Sequence, residues 1–213
     1  MVLRRTTPRF VLLVISLFLL VACSSVLPVT TKTVTHTTSV QVKASAPTTL
    51  QMLQQRPLHL PVLAPGAACP TSPEKRIDPR LGIVQGNGPA YATIGTETIT
   101  SPAIFHYADA QHFANGVDTQ GWGGQKVLWF INPSYHGLVL VRGHQLDGTH
   151  EIGFDNASSP QIMHQLVIDT SVGGSPWPNS SGYTRIQAPG CYAYQVDGTN
   201  FSYVIVFEAV VQN

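Results

Sequence analysis

Eight histidines, three cysteines and eleven carboxylates are the side chains here able to hold a metal, attack a carbonyl or move a proton. His106 and His112 stand six apart, as do His144 and His150. Neither pair has the i, i+4 spacing of a helix face or the i, i+2 spacing of a strand face. A turn dipeptide, Asp147-Gly148, also interrupts the second pair. A copper site needs a cysteine followed closely by histidine and methionine, and neither follows Cys191. No metal is therefore expected; His144, His150 and His164 are the least unsuitable ligands, and Asp155, Asn156 and Asp169 do no better for calcium. Gly173-Gly174-Ser175-Pro176 is turn chemistry, and the proline after its serine removes an amide that an oxyanion hole would use. No feature brings two carboxylates together as glycoside hydrolysis requires. The expectation is a non-catalytic protein without cofactor.

The informative thiol is Cys23. Arg4, Arg5 and Arg9 precede an apolar run from Phe10, and Leu20-Val21-Ala22-Cys23 ends it. A basic start, a short greasy middle and small residues at the exit form a secretory signal. The run from Phe10 to Ala22 is also too short to cross a bilayer core, which needs roughly 20 residues. Leu-Val-Ala-Cys resembles the lipobox of bacterial lipoproteins. That resemblance implies removal of residues 1–22, diacylglycerol on the Cys23 thiol, and a chain anchored in the cell membrane on its extracytoplasmic side. With Cys23 used by lipid, Cys69 and Cys191 remain as an even pair in an oxidising compartment. Neither has a second cysteine or a histidine nearby, so zinc spacing is absent and a structural disulfide is expected.

Composition narrows the class. Charged residues are only 11% of the chain, while Gly and Pro number 18 and 16. Such usage suits an exported β-rich protein and not a helical bundle. The mature chain has a net charge of −2, which argues against a nucleic-acid partner. Residues 23–66 read as a Thr/Pro-rich flexible tether, roughly 35 Å end to end as a coil. It contains Lys32, Lys43 and Arg56 and no acid, so it is basic while the remainder is acidic. Basic residues beside an anionic bilayer add attraction. Within the tether, 50–63 has enough leucines to form a short helix or to pack on the domain.

From residue 67 on, short apolar runs alternate with turn residues, and no window holds a 3.6-residue period. Strands are expected over 91–99, 126–131, 138–142, 162–169, 183–187, 191–196 and 201–211, with one helical turn near 108–113. About seven short strands predict an antiparallel, immunoglobulin-like β-sandwich over 67–213. Pro189-Gly190-Cys191-Tyr192-Ala193-Tyr194-Gln195-Val196 resembles the opening of the penultimate strand in bacterial immunoglobulin-like and PKD-like domains. The resemblance implies that Tyr192 is the tyrosine-corner residue and that Tyr192, Tyr194 and Val196 face the core. Cys191, Ala193 and Gln195 then face away, and a bond to Cys69 would strap the incoming segment across the outside of the sandwich. The last strand is apolar on both faces, as befits a strand covered on its outer side too.

Cys69-Pro70, Trp129, the step from Gly143 to Gly148 and Gly190-Cys191-Tyr192 together resemble a family of small, uncharacterised bacterial lipoproteins, in which tryptophan is commoner where Tyr192 stands. That likeness implies fold and address, and no activity. Trp122 between glycines, Trp177 between prolines, and Tyr183 are the candidate ligand-binding rings. They would stack an envelope glycan or grip a protein partner, or else plug the open ends of the sandwich. Trp129, inside an apolar run, is expected in the core.

Overall fold

Side-chain alternation along 190–198 organises the molecule. The computed structural model describes residues 48–94, 104–112, 121–155, 161–171 and 177–212. In it, strands of period two build two stacked sheets. One helix, α1 (Thr49–Gln54), precedes β1 (Glu74–Lys75), β2 (Val84–Gln85), β3 (Ala90–Ala92), β4 (Ile104–Tyr107) and β5 (Gly123–Ile131). Then follow β6 (Leu138–Gln145), β7 (Gly153–Asp155), β8 (Leu166–Asp169), β9 (Asn179–Ile186), β10 (Gly190–Gly198) and β11 (Ser202–Val211). The sheet orders are β1-β2-β3-β5-β9-β7 and β4-β11-β10-β6-β8.

The chain is the expected all-β sandwich, with four differences from the sequence reading. Eleven strands are described instead of about seven. Those not anticipated, at 74–75, 84–85, 104–107 and 153–155, are two to four residues long and too short to show a period. The sandwich is also not wholly antiparallel, because β4 runs parallel to β11. Third, of the strand expected over 91–99, residues 90–92 form β3, whereas 95–99 lie outside the described residues. Near 108–112, a turn closed by the His112 amide on the Asp109 carbonyl replaces the helical turn.

The topology has a recognisable frame. Order β3-β5-β9-β7 in one sheet and β6-β10-β11 in the other matches strands A-B-E-D and C-F-G of the immunoglobulin sandwich. It departs in sequence order, since β7 at the E edge comes before β8 at the C edge. The hydroxyl of Tyr192 donates to the carbonyl of Ala188, 2.8 Å away and four residues upstream, as a tyrosine corner does. Just before it, Gly190 has φ +147, and a Cβ there would come within 2.7 Å of an Asp147 carboxylate oxygen. That carboxylate accepts the Cys191 amide at 3.0 Å and so fixes the start of β10.

The interior is aromatic. Tyr192, Tyr194 and Val196 face the core with Ile205 and Phe207 from β11. Trp129 of β5 meets Tyr194 of β10 edge-on at 5.4 Å, so the two sheets are joined by rings two residues past the corner, where antibody domains carry a disulfide cysteine. The Tyr194 hydroxyl bonds Thr184 Oγ1 on the opposite sheet at 2.7 Å, and burial raises its pKa far above the ordinary phenol value. Because Trp129 is 1% exposed at this junction, Trp129→Ala is expected to lower unfolding free energy by about 3–5 kcal/mol in urea titration.

Candidate functional site

The outer face of the β10–β11 sheet is where the chain assembles most of its unanticipated chemistry. The second half of the segment expected to be free tether, residues 48–66, docks there. Thr48 and Gln51 form a capping box, with the Thr48 amide 2.7 Å from Gln51 Oε1. This box starts α1, and Pro57 stands just beyond its end. Leu53 is buried, while Leu60 and Leu63 pack on Cys191, Ala193 and Val206. Of the two readings of 50–63, packing on the domain is the one observed: the leucine-rich part belongs to the folded body, because the outer face of β10 and β11 is apolar and otherwise wet.

A disulfide closes this strap. Cys69 and Cys191 are bonded with Cα atoms 5.4 Å apart. Both lie on the outer face, away from the aromatic core. Three residues later, Ser72 meets the open edge of β11: its amide donates to the Val206 carbonyl at 2.8 Å, and its Oγ accepts the Val206 amide at 2.9 Å.

At the other end of the strap sits a polar clamp. Gln195 Oε1 accepts the His59 amide at 2.6 Å, and Gln195 Nε2 donates to the Pro57 carbonyl at 3.0 Å and to Asp197 Oδ2 at 2.9 Å. Both N–H donors and the carbonyl oxygen of this buried amide are thus engaged. Arg142 Nη2 donates to Asp197 Oδ2 at 2.9 Å, and its Nη1 reaches the Gln54 carbonyl at the end of α1 at 3.3 Å. Arg56 caps the β10–β11 hairpin, donating to the carbonyls of Gly198, Phe201 and Thr199. Its guanidinium is also 3.7 Å from Asp197 Oδ1, which has no hydrogen-bond partner. Two arginines around one fully buried carboxylate keep it from being an isolated buried charge.

The candidate binding rings do not converge. Trp122 is only 9% exposed, and its carbonyl accepts from buried Arg185. It is therefore no open stacking platform, which leaves for Trp122 the other of the two readings, a ring that plugs the sandwich. Trp177 is half-buried: its indole N–H donates to Asp78 at 3.1 Å, and its ring meets Tyr91 edge-on at 6.4 Å. Tyr183 is half-buried on β9, opposite Lys126 and Asp155.

The candidate ligands are likewise dispersed. His164 pairs with Glu151 at 2.6 Å, while His150 faces Gln187. His144 lies on the outer face of β6 beside Ala193. Asp155 pairs with Arg185 at 3.0 Å on one sheet, and Asp169 accepts the Ser171 amide on the other. Asn156 and Cys23 lie outside the described residues. Among the described residues no three His, Cys, Asp or Glu side chains gather as a metal would need, and no helix is long and apolar enough to cross a membrane.

The clamp was missed at the sequence level, but a signal for it exists. Gln195 and Asp197 continue the outward row of Cys191 and Ala193 on a strand with apolar neighbours, and polar groups there require partners if the face is covered. Removing the carboxylate with Asp197→Ala leaves Arg142 Nη2 without its counter-charge, and is expected to cost about 3–5 kcal/mol in urea titration. Arg56→Ala should cost less, about 1–2 kcal/mol, because water reaches the hairpin carbonyls.

A second measurable pair is Asp78 and Arg80. Hydrogen bonds from the Arg80 side chain, then from its amide, hold the Asp78 carboxyl well below the ordinary carboxylate range, with Trp177 adding to them. A depressed carboxyl pKa contributes stability above its unfolded value and loses it as pH falls through the folded one. The Trp177 indole N–H resonance should therefore stay fixed from pH 7 to about pH 4 and move only in stronger acid; Asp78→Asn should shift it at every pH.

The chain matches no protein-family model and no curated protein. Among solved structures it is similar to the X-ray structure of "a Putative Lipoprotein from Bacillus anthracis", at 11% identity and a TM-score of 0.42, over 79% of this chain and 99% of that one. At that level the similarity carries nothing further about this chain.

Proposed function

We propose that this chain is an exported lipoprotein, acylated at Cys23 and held on the extracytoplasmic side of the cell membrane. Its sandwich has a non-catalytic binding or structural role at the cell envelope. The observation that carries this reading is Leu20-Val21-Ala22-Cys23 at the end of a short apolar run behind three arginines. The Cys69–Cys191 bond supports it, since such bonds persist in oxidising compartments. The acidic balance of the chain after the tether supports a partner other than nucleic acid. A glycan module built on Trp122, Trp177 and Tyr183 loses support, because one ring is buried and another is pinned through its N–H.

Mass spectrometry of membrane-fraction protein, reduced and non-reduced, tests the reading. The expected product begins at diacylglyceryl-Cys23 and yields a linked Cys69–Cys191 peptide, and Cys23→Ala should abolish both processing and lipid. A chain that begins at Met1, with free thiols at residues 69 and 191, would overturn it.

A further inference from the structure

From the distribution of exposed apolar side chains we infer that the outer surface of the strap is a membrane-contact face that lies against phospholipid. Four large hydrophobic side chains are exposed among the described residues: Met52 at 50%, Leu58 at 41%, Val62 at 98% and Val167 at 37%. Three of them are on the strap. The fourth shares its side of the molecule: Val167 is in register with Leu140 on β6, whereas Val139, Val141 and Ile168 point into the core. Val167 is therefore on the outer face of the same sheet, the face that the strap covers. The strap's own geometry separates its two sides, since Leu60 and Leu63 pack inward while Val62, between them, points into solvent. Single exposed hydrophobics are ordinary, but an apolar row on one side of a small domain marks a contact site.

Phospholipid is the occupant that the charges and the chain path favour. Between Cys23 and Glu74 the sequence has no acidic residue. Arg56 is turned onto the hairpin carbonyls and Asp197, while Lys32 and Lys43, in the stretch that leads from the anchor to the strap, suit anionic headgroups. Of the acids on the same sheet face, Asp197 is buried against Arg56 and Arg142, and Asp169 and Glu208 are on strands outside the strap. The inference rests on acylation at Cys23. Residues 24–47 join that cysteine to the strap, and a chain of that length reaches at most about 80–85 Å. Anchorage so close holds the bilayer at high effective concentration, so a weak contact suffices for docking. The domain would then rest on the surface through the strap, presenting the β1-β2-β3-β5-β9-β7 sheet outward.

The test places a tryptophan on each side of the acylated full-length protein in vesicles of phosphatidylglycerol and brominated phosphatidylcholine. Val62→Trp reports the strap, and Lys126→Trp reports the exposed position of β5 on the opposite sheet. Flotation with the vesicles is measured in parallel, and the unsubstituted protein gives the background of the three native tryptophans. The expected result is that flotation holds for both variants, with emission at position 62 quenched at least twofold and emission at 126 unchanged. Flotation without quenching at 62, or equal quenching at both positions, overturns the docking while leaving the anchor standing. A concentration-dependent dimer abolished by Met52→Ser/Leu58→Ser/Val62→Ser, with no quenching, would assign the face to a second copy instead. Protein that does not float removes the acylation, and the docking with it.

Discussion

Strand Gly190–Gly198 is buried along both faces, and that single constraint shapes the molecule. Its inward row, Tyr192, Tyr194 and Val196, meets the facing sheet through Trp129 and Phe154. Its outward row, Cys191, Ala193, Gln195 and Asp197, would be wet in a bare two-layer sandwich. The chain supplies a third, partial layer from its own N-terminal side. Each outward residue then finds a match of its own kind: a thiol for Cys191, leucines for Ala193, backbone amide and carbonyl for Gln195, and guanidinium groups for Asp197. The disulfide closes a loop of sequence separation 122 and so restricts the unfolded chain as well as fixing the strap's end.

This arrangement also explains what the sequence could and could not disclose. The tyrosine corner and the inward row of β10 were legible through the resemblance of the Pro-Gly-Cys-Tyr entry to immunoglobulin-like domains, and period-two alternation then put Cys191 on the outer face. The two apolar faces of β11 likewise announced a cover. The extent of that cover was not legible. Thr, Pro and Gln between 48 and 66 read locally as a tether, and only the apolar surface waiting on the far end of the chain turns them into a strap. Gln195 and Asp197 were hidden for the same reason, since a polar pair on a strand reads as a solvent face until its partners, Arg56 and Pro57, are seen to return over it. The two- to four-residue strands hold their places through pairing with longer neighbours and carry no pattern of their own.

For the rings, local context left two readings open, a stacking platform or a plug. Trp122 between glycines suited either. Gly123 is needed for close approach, as a Cβ there would fall 2.3 Å from the Ala108 carbonyl oxygen. Trp177 between prolines is open enough to touch solvent but is tied through Asp78 to Arg80. These chemistry-bearing residues are thus employed in holding loops and strap.

The claim on which the rest turns is that residues 48–72 are part of the folded body. Residue-resolved amide hydrogen exchange of the oxidised protein tests it directly, with the His59 amide, donated to Gln195 Oε1, as the reporter. An integral strap predicts that His59 and Ser72 are protected together with the amides of β10. Exchange of His59 at the rate of an unstructured peptide, while β10 stays protected, would contradict it.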